Sequence, residues 1–397
     1  MQTNIYGFYR DMESPLAFIP SNAIANKQTI YSGAGSPPSA EVAKHSRTSF
    51  GRKNLTMNQD SPSTVLPPSS WLPMSRRLRR EEYTVGWICA LPVELAAAQE
   101  MLDEEHEDLE RDNNDDNLYS LGSIAGHNVA IVCLPAGRIG NNPAAAVAMQ
   151  MRATFRWIRF GLMVGIGGGV PSAEADVRLG DVVVSQPHRA FGGVVQYDLG
   201  KATPSGFERT GSLNSPPQIL LAAIARVRAN ELRGRSKLSE HVSKFDRIPK
   251  FWRDNAGPDV LFEALYHHEG GHTCDLCDTH RQEARQPREI KEVVVHYGTI
   301  ASSNQVMRDG RTRDRLSHEF GGILCFEMEA AGLMNSFPCL MIRGICDYAD
   351  SHKSKTWQPY AAAVAAAYAK EVLSAIPPTD MAKTRTVEET IRGTSSW

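Results

Sequence analysis

The sequence contains no uninterrupted apolar run of about 18 residues, so no segment reads as a membrane-spanning helix. Its apolar patches are short and broken by Gly, Arg or Asp. Surplus charge is scarce too: 43 basic side chains face 45 acidic ones in 397 residues, which leaves no electrostatic footprint for non-specific nucleic-acid binding. Seven cysteines are too few and too scattered for a disulfide scaffold at this length, so a reducing, cytoplasmic setting is expected. No internal repeat is evident. What remains, 42% hydrophobic and 22% charged, is enough chain for one large or two smaller globular domains with a buried core.

Residues 1 to about 80 differ from the rest. They carry Ser36-Pro37-Pro38-Ser39, Ser61-Pro62-Ser63 and Pro67-Pro68-Ser69-Ser70, show no sustained periodicity, and end in Arg76-Arg77-Leu78-Arg79-Arg80. Such a stretch buries too little apolar surface to offset its ordering entropy. The basic surplus admits a transit peptide. Asp11, Glu13 and the lack of an apolar signal core favour a disordered leader instead. The tail at 377–397, opened by Pro377-Pro378, reads as flexible.

Between these ends, from 81 to 376, short apolar runs alternate with helical signals. Thr84 to Ala90 suits a buried strand, and Pro92 then stands where a first helical residue should. Val129 to Leu134 reads as a strand, followed by Asn141-Asn142-Pro143 at the head of an Ala-rich helix. Leu162 to Ile166, Asp181 to Ser185, Val293 to Val295, Ile323 to Phe326 and Cys339 to Arg343 continue the sheet, and Ala361 to Ala375 closes with a helix. The alternation predicts an α/β domain. Residues 200–290 break the rhythm and read as an insertion packed on it.

Two segments invite ligand readings. Gly165-Ile166-Gly167-Gly168-Gly169 follows a strand, but Val170-Pro171-Ser172 stands where a dinucleotide fold would open its helix. Glycines at a strand end let backbone approach a ligand closely; the plain alternative is a tight loop. In the insertion, Cys274-Asp275-Leu276-Cys277 has the spacing of half a zinc site, with His267, His268, His272 and His280 in the same short stretch. The second knuckle is missing, so a metal-free polar loop is expected, with zinc on His272, Cys274, Cys277 and His280 as the alternative.

Gly165 to Gly169 with Leu179-Gly180-Asp181, then Glu327-Met328-Glu329-Ala330-Ala331, then Arg343-Gly344-Ile345-Cys346-Asp347, recur in that order in one family. With Gly86 to Glu94 they make residues 83–376 resemble the nucleoside phosphorylase and methylthioadenosine/S-adenosylhomocysteine nucleosidase family. The insertion and His296 to Ser302 are similar to its fungal branch. The resemblance implies a three-layer sandwich with a central mixed, twisted sheet flanked by helices. It also implies N-glycosidic bond cleavage without a cofactor, on a small-molecule nucleoside or nucleotide, in a homo-oligomer with neither nucleic acid nor membrane as partner.

Breaking a ribose-to-base bond builds positive charge on the sugar and negative charge on the base. The site therefore needs an acid for the base, acceptors for the sugar hydroxyls and a positioned nucleophile. By resemblance, Asp347 protonates the purine N7, Glu94 activates water opposite Arg343, and Glu329 holds the ribose hydroxyls. Met328 packs on the sugar face and Glu327 supports. The base pocket falls to Ser302, Val306 and Met307, although the family's nucleosidases carry an aromatic where this chain has Val306. Each residue also has a plain structural reading: Glu94, Glu327 and Glu329 as helix-opening carboxylates, Asp347 as a turn residue, Arg343 and Asp347 as an ion pair.

Hydrolysis of an adenosine-type substrate is the favoured reading. Phosphorolysis to base and ribose 1-phosphate, and nucleoside sensing without catalysis, are the alternatives. Phosphorylases of the family hold phosphate with an Arg and a Ser or Thr where this chain has Met163 and Ile166, although Arg138 offers another anion site. Arg226, Arg228, Arg233, Arg235 and Lys237 would hold the phosphates of a nucleotide such as ATP if they turned inward; otherwise they form a solvated face.

Overall fold

The computed structural model describes residues 76–271, 273–288, 293–381 and 383–394. The expected leader lies outside the described residues up to residue 75; Arg76 bridges to His106, and Arg80–Glu82 form one 3-10 turn. The chain then runs β1 (Val85–Cys89), α1 (Pro92–Glu100), β2 (Glu104–Glu105), β3 (Tyr119–Ile124), β4 (His127–Cys133) and α2 (Asn141–Thr154). Next come β5 (Phe160–Gly169), β6 (Val182–Ser185), β7 (Val194–Gln196), the hairpin β8 (Gly200–Thr203) and β9 (Gly206–Arg209), α3 (Gln218–Leu232) and α4 (Leu238–Ser243). The chain ends with β10 (Val295–Ser302), α5 (Gly310–Glu319), β11 (Ile323–Glu327), β12 (Cys339–Asp347), α6 (Gln358–Ser374), α7 (Pro378–Met381) and α8 (Val387–Thr394).

Strand alternation builds three layers. Val85, Trp87 and Cys89 of β1, with Leu162, Val164, Leu340 and Ile342, face a core closed by α1, α3 and the Ala-rich α6. Ile88, Met163, Met341 and Val132 point the other way, onto Ala144, Val147 and Met151 of α2. Period-two strands buried on both faces need an apolar residue at nearly every position, which is what makes these runs legible. The sheet is mixed, in the order β11-β10-β6-β12-β5-β1-β4-β3-β2, with β7 beside β10. This is the α/β architecture the sequence predicts.

The sheet also curls back on itself. Gly168 and Gly169, at the end of β5, pair antiparallel with Phe326 and Cys325 of β11, although three strands separate β5 from β11 along the sheet. That closure carries the end of β11 onto β5 and β12. The glycine segment therefore lies within β5 and is no tight loop: β11 and several side chains press against it where any Cβ would collide.

Three further expectations change. The strand sought at Val293 to Val295 begins at Val295 and runs on to Ser302. Asn141 sits inside α2, and its cap is Gly140, whose φ of 107° suits glycine. The tail after Pro377-Pro378 is not loose as far as residue 394: it forms α7 and α8, with Val387 1% and Met381 4% exposed. Thr386 and Glu389 cap α8 reciprocally, and Val387 N–H donates to Ile158 O. Apolar residues at 381, 387 and 391, each packed on or into the core, outweigh the proline signal. No helix among the described residues is long and apolar enough to cross a membrane.

Candidate functional site

Arg343 sits in mid-β12, fully buried, and three carboxylates converge on it. Its Nη2 donates to Glu327 at 2.5 Å and to Glu329 at 3.3 Å. Glu94 arrives from the first turn of α1. Its Oε2 accepts from Ala90 and Leu91 N–H at 2.7 and 3.0 Å, and its Oε1 accepts from Ile166 N–H at 2.8 Å. Gly165 makes this approach possible, since a Cβ there would lie 2.5 Å from both Arg343 Nη1 and Glu94 Oε1. Gly167 admits the Cys325 thiol in the same way. The helix-opening reading of Glu94 is therefore real, and the same carboxylate also faces the site.

The glutamates differ in how fully they are engaged. Glu327 accepts from Glu329 and Ala330 N–H as well as from Arg343, which makes it a brace. Glu329 has two long bonds, from Gly140 N–H and Arg343, both 3.3 Å, and so keeps acceptor capacity. Three backbone bonds leave Glu94 about one of its four lone-pair directions. Arg343 Nε and Nη1 have no hydrogen-bond partner among the described residues, although they are buried. Buried donors of a charged group are costly to leave unpaired, so the pair marks a place for a polar guest.

Burial pushes Glu329 up to about 7, opposed by Arg343 and assisted by Glu327 and Glu94. Burial also raises Glu94, against the pull of Arg343 and three backbone bonds. Arg343 is disfavoured by burial but held firmly charged by the three glutamates. Burial raises both Glu94 and Glu329 beside the one guanidinium, so this pair of carboxylates holds a proton more tightly than free ones would.

Asp347 ends the same strand. A register shift between Ile345 and Asp347, with Cys346 as the extra residue, takes it out of the alternation set by Arg343. Its Oδ1 accepts from Ala349 N–H at 2.9 Å and lies where a Gly168 side chain would be; its Oδ2 meets Lys353 Nζ at 3.1 Å. Arg343 and Asp347 are thus not each other's ion-pair partners: each has its own. Asp347, Lys353, Tyr348 and Trp357 line a cavity of about 430 Å³ together with insertion residues that include Phe262 and His268. The buried Cys325 thiol feels Arg343, Glu327, Asp347 and Lys353 together, so the two clusters adjoin.

The remaining expectations divide. Met328 is half-buried beside these groups. Ser302 is wholly buried, accepting from Ala331 N–H and donating to Asn141 Oδ1, so its hydroxyl serves the fold. Val306 is 48% exposed, and Met307 packs on Phe326 and its neighbours. Arg138 is exposed in the loop before α2, where the Gly140 N–H is already given to Glu329. Arg226, Arg228, Arg233, Arg235 and Lys237 all lie on exposed surface; Arg226 bonds Ala375 O, and Arg228 covers the Tyr297 ring. They do not turn inward, because Leu220, Ala223, Ile224 and Val227 supply the buried face of α3.

Of the alternative zinc set, His280 stands exposed in a separate turn and His272 lies outside the described residues. Among the described residues, the histidine that joins Cys274 and Cys277 is His268. Lys353, Tyr197 and Phe326 were not singled out by sequence. Tyr197 stacks edge-on to Phe326 at 5.5 Å and feels both Glu327 and Lys353, but no motif in the sequence points to it. Lys353, six residues past Asp347, could have been found by asking what pairs a buried acid.

Residues 84–376 match the Phosphorylase superfamily. A nucleotide-binding leucine-rich repeat (NLR)-like protein of Hyaloscypha variabilis is 50% identical over 305 residues, which is 76% of this chain and 30% of that protein. The chain thus spans under a third of this relative. A 5′-methylthioadenosine/S-adenosylhomocysteine nucleosidase of Mycobacterium bovis is 26% identical, covering 74% of this chain and 97% of the relative. A death domain-containing ATP nucleosidase of Amphimedon queenslandica is 23% identical over 67% of this chain and 43% of the relative.

Proposed function

The chain belongs to the phosphorylase superfamily, and on that premise we propose that it hydrolyses the N-glycosidic bond of a purine nucleoside or nucleotide. The observation that carries this reading is the buried Arg343 with two unpartnered donor atoms between a lightly bound Glu329 and a Glu94 of raised proton affinity. Glu94 takes a proton from a water held by Arg343. Glu329 accepts from the ribose hydroxyls, and its negative charge favours the cationic sugar. Asp347, entering the step in its acid form, gives its proton to N7 of the leaving base. Lys353 at 3.1 Å steadies the carboxylate left behind, and the proton that Glu94 took from water restores the acid for the next turnover. Tyr197 and Phe326 are the aromatics at hand in place of the one missing at Val306.

Water is favoured over phosphate for two reasons. Met163 is wholly buried and apolar and Ile166 is half-buried in apolar contacts, so neither can hold a dianion. The N-terminal N–H groups of α2 at Gly140 and Asn141 are already given to Glu329 and Asn304 and so are not free for an anion. The relatives named as nucleosidases of methylthioadenosine/S-adenosylhomocysteine and of ATP support an adenine base and keep ATP among the substrates. A homo-oligomer and a cytoplasmic setting belong to the proposal; all seven cysteines are free thiols, which suits a reducing compartment. The test is chromatography of adenosine, 5′-methylthioadenosine, S-adenosylhomocysteine and ATP after incubation with the protein. Release of adenine from at least one supports the reading, and binding without any base release refutes it.

A further inference from the structure

Cys274 and Cys277 form a tight turn, closed by Cys277 N–H donating to Cys274 O at 3.1 Å. Gly270 and Gly271, both in the left-handed region at φ 62° and 71°, double the preceding chain back so that His268 faces the turn. His268 Nδ1 then lies 3.8 Å from Cys274 Sγ and 3.2 Å from Cys277 Sγ, and the three ligand atoms are all within 4.8 Å of one another. With Zn–S of about 2.3 Å and Zn–N of about 2.0 Å, a tetrahedral angle separates sulfur from nitrogen by about 3.5 Å. The two observed separations straddle that edge.

A second feature points the same way. His352 is 5% exposed; its Nδ1 lies 3.7 Å from Asp350 Oδ1, and its Nε2 has no hydrogen-bond partner among the described residues. Its ring stacks on Phe262 and stands edge-on to His268 at 5.7 Å between centroids. A buried imidazole nitrogen without a partner is costly, and a nearby metal is one way to satisfy it.

We propose that His268, Cys274 and Cys277 bind a zinc ion, with the His352 ring packed beside it. The ion ties the insertion to the loop that follows Asp347, where His268 N–H already donates to Ser351 Oγ at 2.9 Å. His268, Cys274 and Asp347 line the same cavity, so the metal fixes part of the wall that the acid shares while taking no part in the cleavage. The site stands whether or not the chain hydrolyses nucleosides.

The full chain, incubated with zinc and freed of excess by dialysis, should retain about one equivalent by elemental analysis, as a closed structural site does. The double variant Cys274→Ser, Cys277→Ser should fall below about a tenth of that. Wild-type protein without near-stoichiometric zinc, or a double variant that keeps it, overturns the proposal. Should the double variant fail to fold, cobalt loaded into the wild type decides. A sulfur-to-cobalt charge-transfer band with intense tetrahedral visible bands is expected, and a weak octahedral spectrum refutes the site. Chelation should also speed proteolytic cleavage between residues 255 and 285; an unchanged cutting rate refutes the clamp.

Discussion

Replacing Arg343 with methionine keeps most of the side-chain volume and removes the one cation bonded to Glu327 and Glu329. Breaking a buried pair in this way costs about 3–5 kcal/mol, a large share of a stability of about 5–15 kcal/mol. The informative quantity is how that cost changes with pH. In the wild type, Glu329 titrates near 7 in the fold, against an ordinary value of 4.5. The folded state then binds the extra proton between those values. Stability from this group is therefore fully present below about pH 4.5, is lost as pH rises through about 7, and is level above that.

Without Arg343, at least one carboxylate must stay protonated well past neutrality. The variant should lose a further 1.4 kcal/mol or so, relative to wild type, for each pH unit above about 7. Towards about pH 5 the gap should narrow, because neutral carboxyls do not need the cation. Urea denaturation at three pH values checks this, read by fluorescence of the buried Trp87 and Trp357. A gap between wild type and variant that is constant from acid to alkaline pH would refute the charge-sharing picture.

Asp347→Asn should lower base release by about 10²–10⁴-fold while the circular dichroism spectrum stays that of the wild type, because it removes the proton donor and keeps the shape. Gly165→Ala places a methyl 2.5 Å from Arg343 Nη1 and Glu94 Oε1; it should cost about 1–3 kcal/mol by overpacking and depress turnover. Wild-type melting and rate in that variant would contradict the close approach. Ending the chain at residue 377 strips away the buried Met381 and Val387. At about 1.5–3 kcal/mol for each buried apolar side chain, the melting temperature should drop by several degrees, where a loose tail would leave it unchanged.

Buried strands were the legible part of the fold because residues such as Val85 to Cys89 must be apolar on both faces. β2, β3, β7 and the helix α5 went unseen: β2 is two glutamates, β7 is only three residues long, β3 mixes Ser and Gly with its apolar residues, and α5 is polar except where Leu316 packs. The pairing of Gly165 to Gly168 with β12 and the closure of Gly168 and Gly169 onto β11 are long-range and have no local signal, and they make the glycine segment a strand rather than a loop. Asp347, Glu94, Glu329 and Arg343 were legible through short motifs in a fixed order. The partner of Asp347 was not, since Lys353 lies across a turn. His268 stands in the same Cys/His stretch, but that it is the histidine facing the cysteines depends on Gly270 and Gly271 reversing the chain, which spacing in sequence does not show.

The central claim is that water is the nucleophile at a site built from Glu94, Arg343, Glu329 and Asp347. Its most direct test incubates the protein with the best adenine substrate in phosphate-free buffer and again with phosphate, and identifies the sugar product. Adenine with free sugar at equal rates in both is the predicted result. Ribose 1-phosphate, or its 5′-substituted counterpart, appearing only when phosphate is present, would contradict it.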